Sequence, residues 1–312
     1  MSQTGASSRS ESTGPLAVLL ASACWGTSGI FVKFIIADTD ISALALAFWR
    51  DLTTFTVLLV GIALLRPAWL RIQRRDLRWM ALLGLSLGTF HVFWNLAVMV
   101  SGAAVATVQQ AAMPAMVAVA AWLLWREPLT WTKIVAIVLT FVGTALVSGL
   151  DVLGQTQLTL AGIVIGIGTP ATYAAWTLFG KKVRADYSPF TTLLYAFAFG
   201  ALTLLPLQFF TPPPWPVASA ALFWFAGLIL LATIAGFSLY ALALGRLPAS
   251  VAGILAMSEI AFVAVYAYVL LGERLTVSQI LGAVLVVGGV LLLSWQRWQR
   301  GRSERKRLLL GG

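Results

Sequence analysis

Trp125-Arg126-Glu127-Pro128-Leu129-Thr130 and Leu271-Gly272-Glu273-Arg274-Leu275-Thr276 stand 146 residues apart, each closing one apolar run and opening another. Around them, residues 93–147 and 239–293 align without a gap, and 19 of the 55 aligned positions are identical. Ala, Val and Leu supply most of those identities, so the count alone is soft. The coincidence of Glu-x-Leu-Thr with Gly143/Gly289 downstream and Ala97/Ala243 upstream is far more specific. A repeat inside a membrane chain points to a ligand held between the two copies.

Composition makes this a membrane chain. Of 312 residues, 60% are hydrophobic and 10% charged, and the mean hydropathy is +0.90. A soluble domain carries about 25% charged residues. Ten apolar runs are legible, at 15–36, 41–65, 77–98, 103–125, 131–149, 159–180, 189–210, 218–244, 249–271 and 277–296. Each approaches the roughly 20 residues that a helix needs to cross the hydrocarbon core. They lack the period-2 alternation of barrel strands and are twice as long. The expectation is therefore an all-α integral membrane protein of ten helices. The Ser-rich segment before the first run lacks a basic n-region and a small-residue cleavage site, so that run is read as a retained helix rather than a signal peptide.

Charge placement orients the chain. With ten helices threaded alternately, eighteen of the 21 Lys and Arg fall on one side. They include Arg66, Arg71, Arg74, Arg75 and Arg78 after span two, Lys181, Lys182 and Arg184 after span six, and the tail from Arg297 to Arg307. The other side has only Arg274, beside Asp38, Asp40, Asp151 and Glu273. By the positive-inside rule both termini are expected in the cytoplasm. The +10 net charge then reflects topology and anionic headgroups, not nucleic acid.

The topology sharpens the repeat. Five helices per copy is an odd number, so the second copy enters the membrane from the opposite side. The same offset carries Asp40-Ile41-Ser42 onto Asp186-Tyr187-Ser188 with the sides again exchanged. The expected organisation is an N-terminal tail (1–14), a first repeat (15–149), a second, inverted repeat (150–296) and a basic C-terminal tail (297–312). Halves related in this way can exchange inward-open and outward-open shapes.

These stretches resemble a known family. Two five-helix halves, each ending in Gly/Arg-Glu-x-Leu-Thr before a Gly-containing helix, look like the EamA branch of the drug/metabolite transporter superfamily. Trp25-Gly26-Thr27-Ser28, Phe48-Trp49-Arg50, and Glu259 ahead of Leu271-Gly272-Glu273-Arg274-Leu275-Thr276 carry the resemblance. The length, His91 and the aromatic middle are most similar to YddG-type aromatic amino-acid exporters. The resemblance implies a secondary transporter, functioning as a monomer in a bacterial inner membrane, that moves amino acids out of the cytoplasm. The chain departs from the pattern at Ile260, where the family often has Pro after the glutamate; the first copy carries Pro114 in span four.

Apart from Arg78 and Lys133 at span ends, the charged or imidazole side chains inside the spans are Lys33, Arg50, Asp51, His91 and Glu259. A charge at bilayer depth costs about 2.5–3.5 kcal/mol on insertion scales, so each needs a partner, a neutral state or a wet cavity. Lys33 lies near a span end and can snorkel. Arg50 and Asp51 are adjacent and point about 100° apart on a helix. They are read as an ion-pair network at the outer mouth, with Arg50 the candidate to attract a carboxylate passing there. Glu259, beside Ser258 and near the middle of span nine, shares a face with Phe262 and Tyr266. It is either a cavity-lining acceptor for an ammonium or proton, or a protonated side chain bonding a neighbouring helix.

Span three places His91 and Asn95 at i, i+4, with Phe90 and Trp94 alongside. Gln109, Gln110 and the helix-breaking Pro114 fall in span four, where freed carbonyls often flank a cavity. Tyr173, Trp176 and Thr177 in span six, and Tyr240, which aligns with Trp94, extend an aromatic lining. The candidate substrate cavity is thus His91, Trp94, Asn95, Gln109, Gln110, Tyr173, Trp176, Tyr240, Ser258, Glu259 and Tyr266, between spans 1, 3, 4, 6, 8 and 9. Most remaining Trp residues, such as Trp69, Trp125, Trp131 and Trp295, sit at span ends as belts do.

Enzyme chemistry finds no support. One His and one Cys exclude a His/Cys metal cluster or a disulfide within the chain, and no metal or cofactor is expected. No Walker sequence is present, so transport would be secondary. Carriers of nucleotide sugars, organophosphates or cationic drugs remain the alternative, with a membrane enzyme or scramblase behind them.

Overall fold

The computed structural model describes residues 4–39, 41–148, 160–211, 219–272 and 276–310. Every regular element among them is helical. Thirteen α-helices follow in chain order: α1 Thr4–Gly26, α2 Ser28–Asp38, α3 Ala43–Leu65, α4 Leu77–Gln110, α5 Met113–Trp125, α6 Trp131–Ser148, α7 Leu160–Val183, α8 Pro189–Leu204, α9 Ser219–Gly227, α10 Gly236–Leu244, α11 Ala249–Ala256, α12 Ser258–Leu271 and α13 Val277–Leu310. A π-helical stretch, Leu228–Ala235, joins α9 to α10. Nine stretches among the described residues are long and apolar enough to cross a membrane, and Trp131–Val147 is a shorter apolar helix. Together they occupy the ten runs read from the sequence.

Several spans are assembled from two helices. Span one is α1 and α2, span nine is α11 and α12, and span eight is α9, the π stretch and α10. Spans three and four differ from the sequence expectation, which placed a boundary between residues 98 and 103. Helix α4 instead continues to Gln110 and the break follows at Ala111–Ala112. A straight helix would separate Phe93 from Gln109 by about 24 Å. Both nevertheless reach α7 two residues apart, at Gly168 and Gly166, so α4 bends back between them.

The packing has a pseudo-twofold pattern. Span one packs on span eight (α1 on α10), as span six packs on span three (α7 on α4). Spans two and seven (α3, α8), four and nine (α5, α11), and five and ten (α6, α13) pair with their own repeat mates. The close approach of α6 and α13 obeys the same exchange. A Cβ on Gly143 would lie 2.6 Å from Gly282 O, and one on Gly289 would lie 3.1 Å from Ala136 O. Adding 146 to Gly143 and Ala136 gives Gly289 and Gly282, so these are symmetry-related contacts. Small residues are what let two membrane helices approach this closely.

The Glu-x-Leu-Thr motif now has a physical reason. The residue before each glutamate turns left-handed, with φ of 54° at Arg126 and 66° at Gly272. At Arg126 that turn lets its N–H reach Trp122 O and the Glu127 N–H reach Ala121 O, satisfying carbonyls at the end of α5. The Glu127 carboxylate then crosses to the other repeat. Oε1 accepts from Ala249 N at 3.0 Å and Oε2 from Ser250 Oγ, capping the start of α11. A carboxylate at a helix N-terminus meets unsatisfied N–H donors and the positive end of the helix dipole. Lys133 Nζ, itself buried, lies 3.7 Å from Oε2. Thr130 and Thr276 start α6 and α13: Thr130 Oγ1 accepts from Lys133 N, and Thr276 exchanges two hydrogen bonds with Gln279. Glu273, Arg274 and Leu275 lie outside the described residues.

Replacing Glu127 with Ala is expected to cost about 1–2 kcal/mol through loss of the α11 cap, whereas Pro128→Ala should be near neutral. Thermal unfolding of the two purified variants in detergent measures the difference.

Candidate functional site

Three spans interrupt their helical hydrogen bonding near mid-membrane, and the interruptions surround one aromatic interior. In span one, Thr27 N bonds Cys24 O at 3.2 Å and Thr27 Oγ1 bonds the same carbonyl at 2.6 Å, which ends α1 at Gly26. A threonine hydroxyl competing for the backbone in this way bends or breaks a helix. In span nine, Met257 N turns to Ile254 O and Ile260 N to Met257 O. In span four, the break at Ala111–Ala112 precedes Pro114, which has no N–H to give. At the offset of 146, Ala111 aligns with Met257, so both copies break at related positions although only one has the proline.

The carbonyls freed by two of these breaks are satisfied crosswise. Ser22 Oγ on α1 donates to Ala256 O in span nine at 3.3 Å. Tyr266 Oη on α12 donates to Ala23 O in span one at 3.1 Å. Gly26 brings the helices close, since a Cβ there would lie 3.1 Å from both Phe262 and Tyr266. Each break therefore depends on the other span for its missing donor, as membrane backbone requires.

Trp25, at the end of α1, centres the aromatic interior. Its ring lies 5.2 Å from Phe237, 5.1 Å from Tyr240 and 6.4 Å from Trp176. Trp176 stacks on Tyr240 at 5.4 Å and 18°, and Tyr173 links Trp176 at 5.6 Å to Phe90 at 4.8 Å. Phe197 of α8 closes the far side at 5.3 Å from Phe237. Tyr240 Oη and Thr177 Oγ1 are 3.3 Å apart. Gly236 makes room for Trp25, because a Cβ would sit 2.8 Å from its Cδ1. Trp25 Nε1 and Ser258 Oγ are buried without a hydrogen-bond partner among the described residues.

Two charged side chains meet this interior. Arg50 on α3 donates from Nε to Thr233 Oγ1 at 2.9 Å, and its guanidinium carbon stands 5.7 Å from the Phe237 centroid. Thr233 belongs to the π stretch, where Thr233 Oγ1 donates to Leu228 O, five residues back. Such π turns tend to mark functional positions. Glu259, at the start of α12, interacts electrostatically with Arg50 and with Tyr173.

The sequence-predicted residues do not all gather in one place. Tyr173, Trp176 and Tyr240 are together in the aromatic interior, with Glu259 and Ser258 at the break of span nine. Tyr266 serves the crosswise hydrogen bond. His91 is drawn away to the seam of α3, α4 and α8, where its Nδ1 lies 3.1 Å from Asp51 Oδ2. Asp51 is fully buried and His91 nearly so; a Cβ on Gly200 of α8 would lie 2.8 Å from the same carboxylate oxygen. Arg50 and Asp51 thus face different partners, though they still interact electrostatically. Asn95 is buried on α4, and Trp94 and Gln110 are half-buried. Gln109 lies against Gly166 of α7 with its Oε1 unpartnered among the described residues, and Pro114 is buried at the start of α5. No group of His, Cys, Asp and Glu that could hold a metal occurs among the described residues.

Sequence reasoning missed Trp25, Phe197, Phe237 and Thr233. Trp25 carried a usable signal: it is a tryptophan inside a span rather than at its end. The aromatic interior therefore draws on spans one, three, six, seven and eight, with charges supplied by spans two and nine.

Inverted five-helix halves around a mid-membrane aromatic interior define a multi-pass membrane transporter fold. The EamA-like transporter family model matches residues 12–149 and 160–295, once for each half, and the chain belongs to that family. It is 27% identical over 284 residues to YwfM, an uncharacterized transporter of Bacillus subtilis (strain 168), covering 89% of this chain and 93% of that one. It is also 27% identical over 254 residues to the threonine/homoserine exporter RhtA of Escherichia coli (strain K12), covering 80% of each chain. A crystal structure of a protein 17% identical in sequence superposes with a TM-score of 0.77 over 92% of this chain and 98% of its own, a likeness of fold.

Removing either crossed hydroxyl, by Ser22→Ala or Tyr266→Phe, leaves a buried carbonyl without a donor and is expected to destabilise the protein by about 1–3 kcal/mol. Asp51→Ala, which strips His91 of its buried partner, should cost more, about 3–5 kcal/mol. Denaturation midpoints in a single detergent rank the three variants.

Proposed function

We propose that this protein is a secondary transporter that exports amino acids, aromatic ones included, from the cytoplasm of a bacterial cell. It works as a monomer in the inner membrane, with both termini cytoplasmic, by alternating exposure of a site between its two halves. The observation that carries this is the placing of Glu259, at a helix break and in electrostatic reach of Tyr173, beside a mid-membrane aromatic cluster of Trp25, Tyr173, Trp176, Phe237 and Tyr240. Glu259 accepts the substrate ammonium, and the rings receive its side chain through apolar contact and cation–π attraction.

Three further facts support the reading. Eighteen of nineteen extramembrane Lys and Arg lie on the side assigned to the cytoplasm. The similarity to RhtA brings amino-acid export into view. Polyanionic cargo is disfavoured, because Arg50, the cation at the aromatic interior, has two carboxylates near it, Asp51 and Glu259, which would repel a multiply charged anion.

The test is flux through the purified protein in liposomes, with labelled L-threonine, L-homoserine, L-phenylalanine and L-tryptophan offered in turn. At least one should move with saturable kinetics, and Glu259→Gln should reduce that flux about tenfold or more, as loss of a charge-assisted hydrogen bond does. Flux of none of them removes the amino-acid assignment.

A further inference from the structure

Arg50 holds a guanidinium at bilayer depth with most of its donors unused. Five N–H groups sit on its planar fork. One, on Nε, is engaged by Thr233 at 2.9 Å. Among the described residues neither Nη atom donates a hydrogen bond, although the ring of Phe237 and the charges of Asp51 and Glu259 hold the group in place. Asp51 acts on it only through space: its Oδ2 is committed to His91, and its buried Oδ1 has no hydrogen-bond partner among the described residues. Glu259 is in the same position, an ionisable side chain near mid-membrane with no hydrogen bond among the described residues. Two opposite charges that interact without a hydrogen bond between them thus stand beside the aromatic cluster.

We propose that Arg50 is the carboxylate-binding residue of the transport site, and that Arg50 and Glu259 together select α-amino acids in their zwitterionic form. The inference rests on the amino-acid assignment above and adds the recognition of the carboxylate. The Nη edge of a guanidinium matches a carboxylate bidentately, which a lysine ammonium does not. Thr233 fixes the fork by holding Nε, and the π turn gives Thr233 its place by committing its hydroxyl hydrogen to Leu228 O. A zwitterion satisfies both poles and adds no net charge to the membrane interior. An amine without a carboxylate leaves Arg50 unmatched; a carboxylate without an amine leaves Glu259 unmatched. The penalty for an unmatched buried charge is what turns two contacts into a selection rule. This places Arg50 in the transport site itself, inside the outer-mouth position that its sequence neighbourhood suggested.

The experiment compares each amino acid with its own primary amide, which keeps the ammonium and loses the carboxylate. L-Threonine, L-tryptophan and their amides compete against a labelled amino acid in liposomes carrying the full chain. Wild-type protein should prefer the acid over the amide by about tenfold or more. Arg50→Gln should bring that ratio close to one by weakening the acid and leaving the amide, and Arg50→Lys should restore part of it. Glu259→Gln should weaken acid and amide together and keep the ratio. Thr233→Val, which releases Nε while leaving the guanidinium present, should lower the ratio partway, and serves if Arg50→Gln does not fold. An unchanged acid-to-amide ratio in Arg50→Gln, or in Arg50→Lys and Thr233→Val together where Arg50→Gln does not fold, overturns the role of Arg50 alone. Absence of any amino-acid flux in the wild type overturns the assignment beneath it, a separate outcome.

Discussion

A backbone carbonyl released in the middle of a bilayer has no water to turn to, and this constraint organises the molecule. Spans one, four and nine all interrupt their helices near that depth. The interruptions of spans one and nine are tolerable because Ser22 donates into span nine and Tyr266 donates into span one. Neither break is supportable without the other span. That mutual dependence locks the first half to the second at one level in the membrane. Trp25 and Glu259 sit at that level because each lies within two residues of the turn in its own span.

The same economy governs the polar groups around the interior. The π stretch of span eight shifts Thr233 onto Arg50. Asp51, which could have paired with its neighbour, pairs with His91 in the seam against α8. The result separates the buried His91–Asp51 hydrogen bond from the electrostatic pair of Arg50 and Glu259 beside the rings. At the membrane surface the repeat motif does comparable work, as Glu127 caps the helix that carries the break of span nine. A cap at one end of α11 and a break at the other delimit a short helix that packs on α5 and α1 of the first half.

How legible this was depended on periodicity. The ten runs, the repeat and the inversion follow from hydropathy, charge and an offset, all of which are regular along the chain. The breaks were only partly visible: Pro114 advertises one, whereas those at Thr27 and Met257 come from hydroxyl competition and tightened turns that carry no proline. The π stretch has no composition of its own. Tyr173, Trp176 and Tyr240 gather in one cluster, because helical spacing places Tyr173 and Trp176 on one face of span six, against Tyr240 of span eight. His91 shows the limit of such reasoning. Its neighbours Asn95 and Trp94 are polar and aromatic, but which way the imidazole turns is decided by Asp51, forty residues earlier on another helix.

On the proposed mechanism the aromatic interior between the halves opens to each side of the membrane in turn. Cys24 is the only cysteine of the chain, half-buried beside Trp25 at the break of span one. A membrane-impermeant maleimide applied to oriented vesicles of the wild-type protein reports its exposure directly. Labelling from either face, slowed by a transported amino acid, is the predicted result. Labelling from one face alone under every condition, or labelling indifferent to all amino acids, would contradict it.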